Sequence, residues 1–315
     1  MKKTSIPDLI TRLGKGDWIA LGRAITIVEN WYEGRDEILD YAYRTGREDC
    51  LVLGITGAGG AGKSTLIDSI LQTYSRRGMR VGVLAVDPSS SYTGGAVLGD
   101  RIRMTRHTSE KDFFIRSFGS RGTLGGISRG AKDVLYLYKS FGFDVIILES
   151  LGVGQEETDI TSFVDVTVVV LAPGNGDYIQ LSKAGTQEIA DIFVVNKADQ
   201  AEAEALYRQL LSTFEFLPES RRPSVVKTIA RDHTGTEELT DLFQTVGRRL
   251  LPNRSIKKRL RIMNEIQSNA LHIFEPVLDE QIHAIMPDVL EGRVTPFEAA
   301  KRLGARIILM EEPKE

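Results

Sequence analysis

The chain has 315 residues, which corresponds to about two domains or to one large domain with extensions. Hydrophobic residues make up 42% and charged residues 26% of it, so a mostly disordered, collagen-like or coiled-coil chain is excluded. Forty basic and 43 acidic residues give a net charge of −3, which provides no general attraction to phosphate polymers or anionic membranes. We therefore expect a folded protein that binds neither nucleic acid nor membrane.

Cysteine and histidine are sparse in this chain. The single cysteine, Cys50, has no partner for an internal disulfide, and the four histidines are too scattered for a zinc or iron–sulfur site. Charged residues between Asp8 and Asp17 interrupt the region where a secretory signal needs an apolar stretch. The most apolar run, residues 164–173, is well short of the roughly 20 residues that span a bilayer. We expect a cytoplasmic protein.

Residues 1–48 are predicted to form an N-terminal helical extension. Pro7 suits the first turn of a helix, where its missing N–H costs nothing. Asp17 is placed to cap a second helix, and Gly46 to end the last one.

The central zone, residues 49–252, alternates short apolar runs with helical patterns. The runs are LVLGIT (51–56), RVGVLAV (80–86), DVIILES (144–150), VTVVVLA (166–172), DIFVVN (191–196) and SVVKTIA (224–230). Continuous apolar strands of this kind indicate a mostly parallel sheet with helices on both faces. The pattern predicts an α/β domain.

Residues 253–315 are predicted to form a C-terminal helical arm. Its apolar residues recur every three or four positions, as expected for one face of a helix; they are Leu260, Met263, Ile266, Ala270 and Phe274. Pro276 is expected to bend or end this helix, because proline lacks the N–H that the helix needs.

A glycine-rich segment follows the first apolar run and fits G-x-x-x-x-G-K-[ST]. It consists of Gly57, Ala58, Gly59, Gly60, Ala61, Gly62, Lys63, Ser64 and Thr65. Glycines let the backbone N–H groups and the N-terminus of the next helix surround a phosphate. Lys63 is expected to neutralise the β and γ oxygens, and Ser64 to bind Mg²⁺. The fold class is therefore predicted to be a P-loop NTPase.

A second motif, N-K-x-D, comes directly after the run DIFVVN. It consists of Asn196, Lys197 and Asp199. A carboxylate at Asp199 can accept hydrogen bonds from both N1–H and the exocyclic amine of guanine, whereas adenine has no matching pair of donors. The motif predicts binding of GTP and GDP.

Acidic residues near the ends of two predicted strands are candidate metal ligands. Glu149 ends the run DVIILES, and Gly152 follows at the spacing where related hydrolases offer an N–H to the γ-phosphate. Asp87 ends the second run, beside the glycine-rich loop, and Asp100 lies in a glycine-rich segment. We expect Asp87, Asp100 and Glu149 to serve the metal or the regions that respond to the nucleotide.

Together these segments resemble the MeaB/ArgK-type P-loop GTPases, bacterial relatives of the human methylmalonic aciduria type A protein. The resemblance rests on LVLGITGAGGAGKST, VLAVDPSSSYTGGAVLGDRIRM, GTLGG, ESLGVGQEE, APGNGDYIQLSKAG and EIADIFVVNKAD. It implies a GTPase chaperone that binds a coenzyme-B12-dependent acyl-CoA mutase, gates loading of the cofactor, and protects or reactivates the enzyme. The resemblance and the amphipathic C-terminal arm together suggest a homodimer, and the alternative is that the arm packs on the sheet of its own chain.

The resemblance adds a further switch in the segment APGNGDYIQLSKAG, which communicates the nucleotide state to the mutase. The residues assigned to it are Asp177, Gln180 and Lys183. The resemblance leaves open whether the partner is methylmalonyl-CoA mutase or a related mutase.

Three other functions share the glycine-rich loop. A kinase or ATPase linked to amino-acid transport is disfavoured by N-K-x-D, and a nickel-inserting GTPase by the missing Cys/His cluster. A targeting GTPase of the signal-recognition type would need a methionine-rich domain, but the chain has six methionines. Val153 stands directly after Gly152, where Ras-like GTPases carry the glutamine that orients water, so we expect slow intrinsic hydrolysis.

Overall fold

The computed structural model describes residues 5–87, 112–119, 129–150, 161, 163–174 and 190–309. The chain divides into two compact units, one up to Arg254 and one from Ser255 onward. Among the described helices, none combines the length and the apolar character that a bilayer span requires.

Three helices precede the sheet: α1 (Ile6–Gly14), α2 (Trp18–Glu29) and α3 (Arg35–Thr45). Asp17 caps α2, as predicted, because its carboxylate accepts the N–H groups of Ile19 and Ala20. A hydrogen bond from Arg12 to the same carboxylate helps to hold the pKa of Asp17 below its ordinary value.

Seven strands form one sheet in the described part of the chain, and each neighbouring pair is parallel. The strands are β1 (Leu51–Thr56), β2 (Val81–Asp87), β3 (Phe113–Gly119), β4 (Val145–Glu149), β5 (Val166–Leu171), β6 (Ile192–Val195) and β7 (Ser224–Lys227). Their order is β3-β2-β4-β1-β5-β6-β7. The helices between them are α4 (Lys63–Arg76), α5 (Arg129–Phe141) and α6 (Ala203–Glu215). The predicted α/β class is confirmed.

Each of the six predicted runs contains one strand, but the edge strand β3 was not predicted. Its sequence, FFIRSFG, places Arg116 and Ser117 after three apolar residues. Arg116 forms an ion pair with Glu29 of α2 at 2.7 Å, so this strand uses a charged residue to contact the N-terminal helices. The apolar run is interrupted for that reason.

Side chains that alternate along the strands form cores on both faces of the sheet. On one face, Val52, Leu84 and Ile146 pack with α1, α2, α3 and α5. On the opposite face, Leu53 and Val168 pack with α4 and with the start of the helix that follows β7. The glycine-rich loop follows the central strand β1 and so lies at the carboxyl end of a sheet that is covered on both faces.

Aspartates that precede strands fix how neighbouring strands align. Asp144 accepts the backbone N–H of Arg80, and Asp165 accepts that of Val52, each at 2.9 Å. Asp191 accepts the N–H of Thr167 at 2.8 Å. In these bonds side-chain carboxylates accept from backbone N–H groups at the amino-terminal edge of the sheet, opposite the glycine-rich loop.

Helix α7 (Thr236–Leu290) follows β7, and α8 (Pro296–Leu309) follows α7. Pro276 was expected to bend or end the helix, and it does not end it, because α7 continues to Leu290. A proline removes one backbone hydrogen bond, and a helix of 55 residues retains the bonds on either side. The predicted domain boundary at residue 252 and the boundary after Arg254 both fall within α7.

Candidate nucleotide-binding site

The glycine-rich loop connects β1 to α4, in the order that the sequence predicts. Gly57 and Gly62 have φ values of +141° and +92°, in the range that residues with a Cβ rarely adopt. A Cβ on Gly57 would collide with the backbone oxygen of Val170, and one on Gly62 with the side-chain amide of Asn196. These two glycines let the loop pass close to β5 and to the end of β6.

Lys63 begins helix α4 and folds its side chain back over the loop. Its Nζ donates hydrogen bonds to the backbone oxygens of Gly57, at 2.7 Å, and Ala58, at 3.2 Å. The ammonium group therefore lies against the loop that would surround a phosphate. Phosphate oxygens are stronger acceptors for an ammonium group than carbonyls are, so an anion in the loop can take over these donors.

Ser64 and Glu149 meet at the carboxyl edge of the sheet. The hydroxyl of Ser64 donates to Glu149 Oε1 at 2.9 Å. Glu149 ends β4, pairs with Ile55 of β1 in the sheet, and is 5% exposed. A hydroxyl and a carboxylate oxygen therefore lie together beside the loop, and both are ligand types that Mg²⁺ prefers.

Ser150 ties the end of β4 to the strand that enters the loop. Its N–H donates to the backbone oxygen of Ile55 at 3.0 Å, and its hydroxyl donates to Thr56 Oγ1 at 2.8 Å. Thr56 and Ser150 are both buried. The position of Glu149 relative to Gly57 is thereby fixed from both strands.

Asn196 lies at the centre of a buried hydrogen-bond network. Its amide Nδ2 donates to the backbone oxygen of Ala61 at 2.9 Å. Its Oδ1 accepts from the hydroxyl of Thr228 and from the N–H of Ala230, both at 3.1 Å. Asn196 therefore connects the glycine-rich loop to the segment that follows β7.

The sequence analysis missed Thr228 and Ala230 as site residues. They lie in the predicted run SVVKTIA, which extended to residue 230, whereas β7 ends at Lys227. Thr228 and Ile229 form the loop beside Asn196 instead, and Ala230 begins a 3₁₀ turn. Ile229 and Ala230 continue the apolar run and so resembled part of the strand. The polar residue Thr228, directly after Lys227, could have indicated where the strand ends.

Lys197 and Asp199 follow Asn196 at the same edge. Lys197 adopts a φ of +54°, and its Nζ donates to the backbone oxygen of Gly60 at 2.8 Å. The side chain of Asp199 is 40% exposed and lies 3.4 Å from a guanidinium nitrogen of Arg231. Asn196 and Lys197 thus contact the glycine-rich loop directly, while Asp199 presents its carboxylate to solvent beside them.

Several predicted site residues lie outside the described part of the structure. They are Asp100, Gly152, Val153, Asp177, Gln180 and Lys183. Asp87 is described only through its backbone, which ends β2 opposite Gly119. Among the residues that are described, no group of three His, Cys, Asp or Glu side chains is arranged to hold a metal ion.

A parallel sheet with this loop, its lysine and serine, and a carboxylate on the adjacent strand defines the class of P-loop NTPases. The family model described as "Methylmalonyl Co-A mutase-associated GTPase MeaB" matches residues 21–283. The chain belongs to this family and is a GTPase. The resemblance noted in the sequence is confirmed.

Individual relatives agree with the family. A putative GTPase of Pyrococcus abyssi is 40% identical over 316 residues, covering 96% of this chain and 97% of that protein. The mitochondrial methylmalonic aciduria type A homolog of Mus musculus is 32% identical over 325 residues, covering 95% and 78%. A crystal structure of a LAO/AO transport system kinase superposes with a TM-score of 0.68 at 25% identity, covering 98% and 99%.

Proposed function

We propose that this GTPase is an Mg²⁺-dependent chaperone for a coenzyme-B12-dependent acyl-CoA mutase. In this role it gates loading of the cofactor and protects or reactivates the mutase. The family description names a mutase-associated GTPase, and the mouse relative is named after methylmalonic aciduria. These names support methylmalonyl-CoA mutase or a related mutase as the partner.

One observation carries the nucleotide site: Asn196 and Lys197 both donate to backbone oxygens of the glycine-rich loop, those of Ala61 and Gly60. The motif assigned to the base and the loop assigned to the phosphates are therefore joined by direct hydrogen bonds. A single nucleotide can reach both. We assign the phosphates to the loop with Lys63, and guanine to Asp199.

Ser64 and Glu149 are the described residues that fit Mg²⁺. Mg²⁺ usually takes one or two protein oxygens and completes its shell with phosphate oxygens and water. The ion neutralises charge on the β and γ oxygens when the nucleotide is bound. The hydroxyl of Ser64 would bind the ion directly, and the carboxylate of Glu149 would hold the ion or its waters.

The remaining roles follow from family position. Asp87 and Asp100 serve the metal and the nucleotide-responsive regions, and Gly152 offers its N–H to the γ-phosphate. Asp177, Gln180 and Lys183 form the switch that reports nucleotide state to the mutase; this set rests on the sequence resemblance alone.

The C-terminal arm is assigned to homodimer formation. Within the second unit, Met263, Ile266 and Ile273 of α7 are 55%, 65% and 70% exposed. Burying the exposed part of such side chains against a second copy stabilises association by roughly 1–2 kcal/mol each. Ile266→Glu should shift the protein from dimer to monomer in sedimentation equilibrium, while Asn264→Glu, on the opposite side of the helix, should leave the dimer intact. A monomeric wild type at micromolar concentration would overturn this assignment.

Base recognition is tested with Asp199→Asn. The amide offers a donor where guanine needs an acceptor, so GDP should bind at least tenfold more weakly, while xanthosine diphosphate (XDP), which has a carbonyl there, should bind more tightly. Asp40→Asn, the same change on the exposed face of α3, is the matched control. Unchanged GDP affinity in Asp199→Asn would remove Asp199 from the base site.

A kinase activity has one observation in its favour, the name of the transport kinase that shares the fold. Competition between ATP and GDP at equilibrium separates the two functions. An ATP-dependent kinase would lose bound GDP to a modest excess of ATP, whereas the proposed site retains GDP because adenine lacks the donors that match Asp199.

A further inference from the structure

Arg231 lies between two carboxylates at the base end of the site. Its Nη2 is 3.4 Å from Asp199 Oδ2, and its Nε is 3.0 Å from Asp232 Oδ1. A second contact to Asp232, from Nη2 to Oδ2, measures 3.5 Å. One guanidinium group is therefore shared, with the shorter contact to Asp232 and the longer one to Asp199.

The backbone around Arg231 is held in place. Ala230 donates its N–H to Asn196 Oδ1 at 3.1 Å, and Ala198 donates its N–H to the backbone oxygen of Thr228 at 3.0 Å. A single 3₁₀ turn, Ala230–Asp232, then carries Arg231. The side chain itself is 71% exposed, so it can move while its backbone stays beside the base-recognition motif.

The contact between Arg231 and Asp199 matters because Asp199 is the proposed acceptor for guanine. A carboxylate that accepts two hydrogen bonds from guanine uses the oxygens that a guanidinium group also seeks. Arg231 and guanine thus compete for one acceptor. Asp232 gives Arg231 a second partner, so the arginine remains paired after guanine takes Asp199.

We propose that Arg231 sets the affinity for guanine nucleotides by competing for Asp199, and that it moves fully onto Asp232 when the nucleotide binds. When GDP leaves, Arg231 returns to Asp199. This inference rests on the proposed reading of guanine by Asp199. It concerns the base alone and leaves the phosphate contacts of Lys63 unchanged.

The expected effect is modest because all three side chains are at least 40% exposed. Exposed ion pairs change equilibria by about two- to fivefold. Calorimetric titration with GDP in 20 mM salt should therefore show two- to fivefold tighter binding to Arg231→Ala. In 0.5 M salt the gain should disappear because salt screens exposed charges. Arg231→Lys keeps the charge and should bind GDP like the wild type.

Two controls separate competition for Asp199 from a general change of charge. Arg44→Ala removes the arginine of an exposed pair with Asp40 and should leave GDP affinity unchanged. In the Asp199→Asn background, adding Arg231→Ala should leave XDP affinity unchanged, because the carboxylate for which Arg231 competes is absent. XDP carries the same phosphates, so attraction between Arg231 and phosphate would appear in this arm.

The outcomes distinguish the two proposals. If Asp199→Asn weakens GDP binding but Arg231→Ala leaves it unchanged, recognition of guanine by Asp199 is supported, and competition by Arg231 is refuted. If Arg231→Ala weakens GDP binding, the arginine contacts the nucleotide instead of opposing it. If Asp199→Asn leaves GDP affinity as it was, guanine reading fails and the competition fails with it.

Discussion

The hydroxyl of Ser150 donates a hydrogen bond of 2.8 Å to Thr56 Oγ1. Ser150 directly follows Glu149, and Thr56 is the last residue before the glycine-rich loop. Both side chains are buried, at 6% and 0% exposure. Strand β1, which leads into the glycine-rich loop, and strand β4, which ends at Glu149, are thus linked by side chains at their ends, beyond the last backbone pair of the ladder, Ile55 with Glu149.

Thr56→Val tests the strength of this link. Valine has nearly the same shape as threonine but leaves the Ser150 donor without this acceptor, so the free energy of unfolding should fall by about 1–3 kcal/mol in urea titrations. Adding Ser150→Ala should recover part of the loss, because no donor is then left buried. Two single-variant losses that add within about 0.5 kcal/mol would show that the residues are not coupled.

Gly57→Ala and Gly59→Ala form a matched pair within the phosphate loop. Gly57 has a positive φ and a Cβ there would collide with the backbone of β5, whereas a Cβ on Gly59 meets no atom within 4 Å. In nucleotide-free protein, Gly57→Ala should lower the free energy of unfolding by more than about 2 kcal/mol, and Gly59→Ala should change it by less than about 0.5 kcal/mol. Equal losses would mean that the loop does not pass β5 as closely as described.

The strands and the phosphate loop were predictable because their physical requirements constrain residue type. A parallel strand buried on both faces must be almost continuously apolar, and a loop that surrounds phosphate needs glycines before a lysine. The edge strand β3 was not predicted because Arg116, which pairs with Glu29, interrupts its apolar run. Edge strands are covered less completely and so tolerate such a residue.

The rest of the candidate site depends on contacts that leave little trace in the sequence. Ala230 contributes a backbone N–H to Asn196, and any residue except proline carries that donor. Arg231 is an exposed arginine, and only its distance to Asp199 in the structure identifies it as part of the candidate site. Pro276 indicated a bend or an end of the helix, yet helix α7 continues past it to Leu290, because neighbouring turns outweigh one missing hydrogen bond.

Ser64→Ala tests the metal assignment. The variant lacks the hydroxyl that would bind Mg²⁺, so the gain in GDP affinity on adding Mg²⁺ should shrink by about tenfold relative to the wild type. Ser64→Thr retains a hydroxyl and should keep most of that gain. Calorimetric titrations with GDP, in EDTA and in excess Mg²⁺, measure the difference. A full Mg²⁺ effect in Ser64→Ala would assign the ion to other ligands.

The last prediction concerns the residue that positions the attacking water. Ras-like GTPases place a glutamine directly after the γ-phosphate glycine, but here the position is Val153, whose side chain can neither donate nor accept a hydrogen bond. Val153 lies outside the described residues. Hydrolysis by the protein alone should therefore be slow, and a bound mutase should accelerate it by supplying or ordering the missing group.

Single-turnover GTP hydrolysis, measured with and without a coenzyme-B12-dependent acyl-CoA mutase from the same organism, tests this dependence. Groups supplied by a partner accelerate such sites by up to about 10³- to 10⁵-fold, which sets the upper range of the expected stimulation. Lys183→Ala should keep its GDP affinity but lose much of the stimulation, since that residue is assigned to signalling. Lys63→Ala should hydrolyse little GTP in either condition, because the charge on the β and γ oxygens is no longer neutralised. A fast basal rate that the mutase leaves unchanged would show that the water is already positioned by this chain.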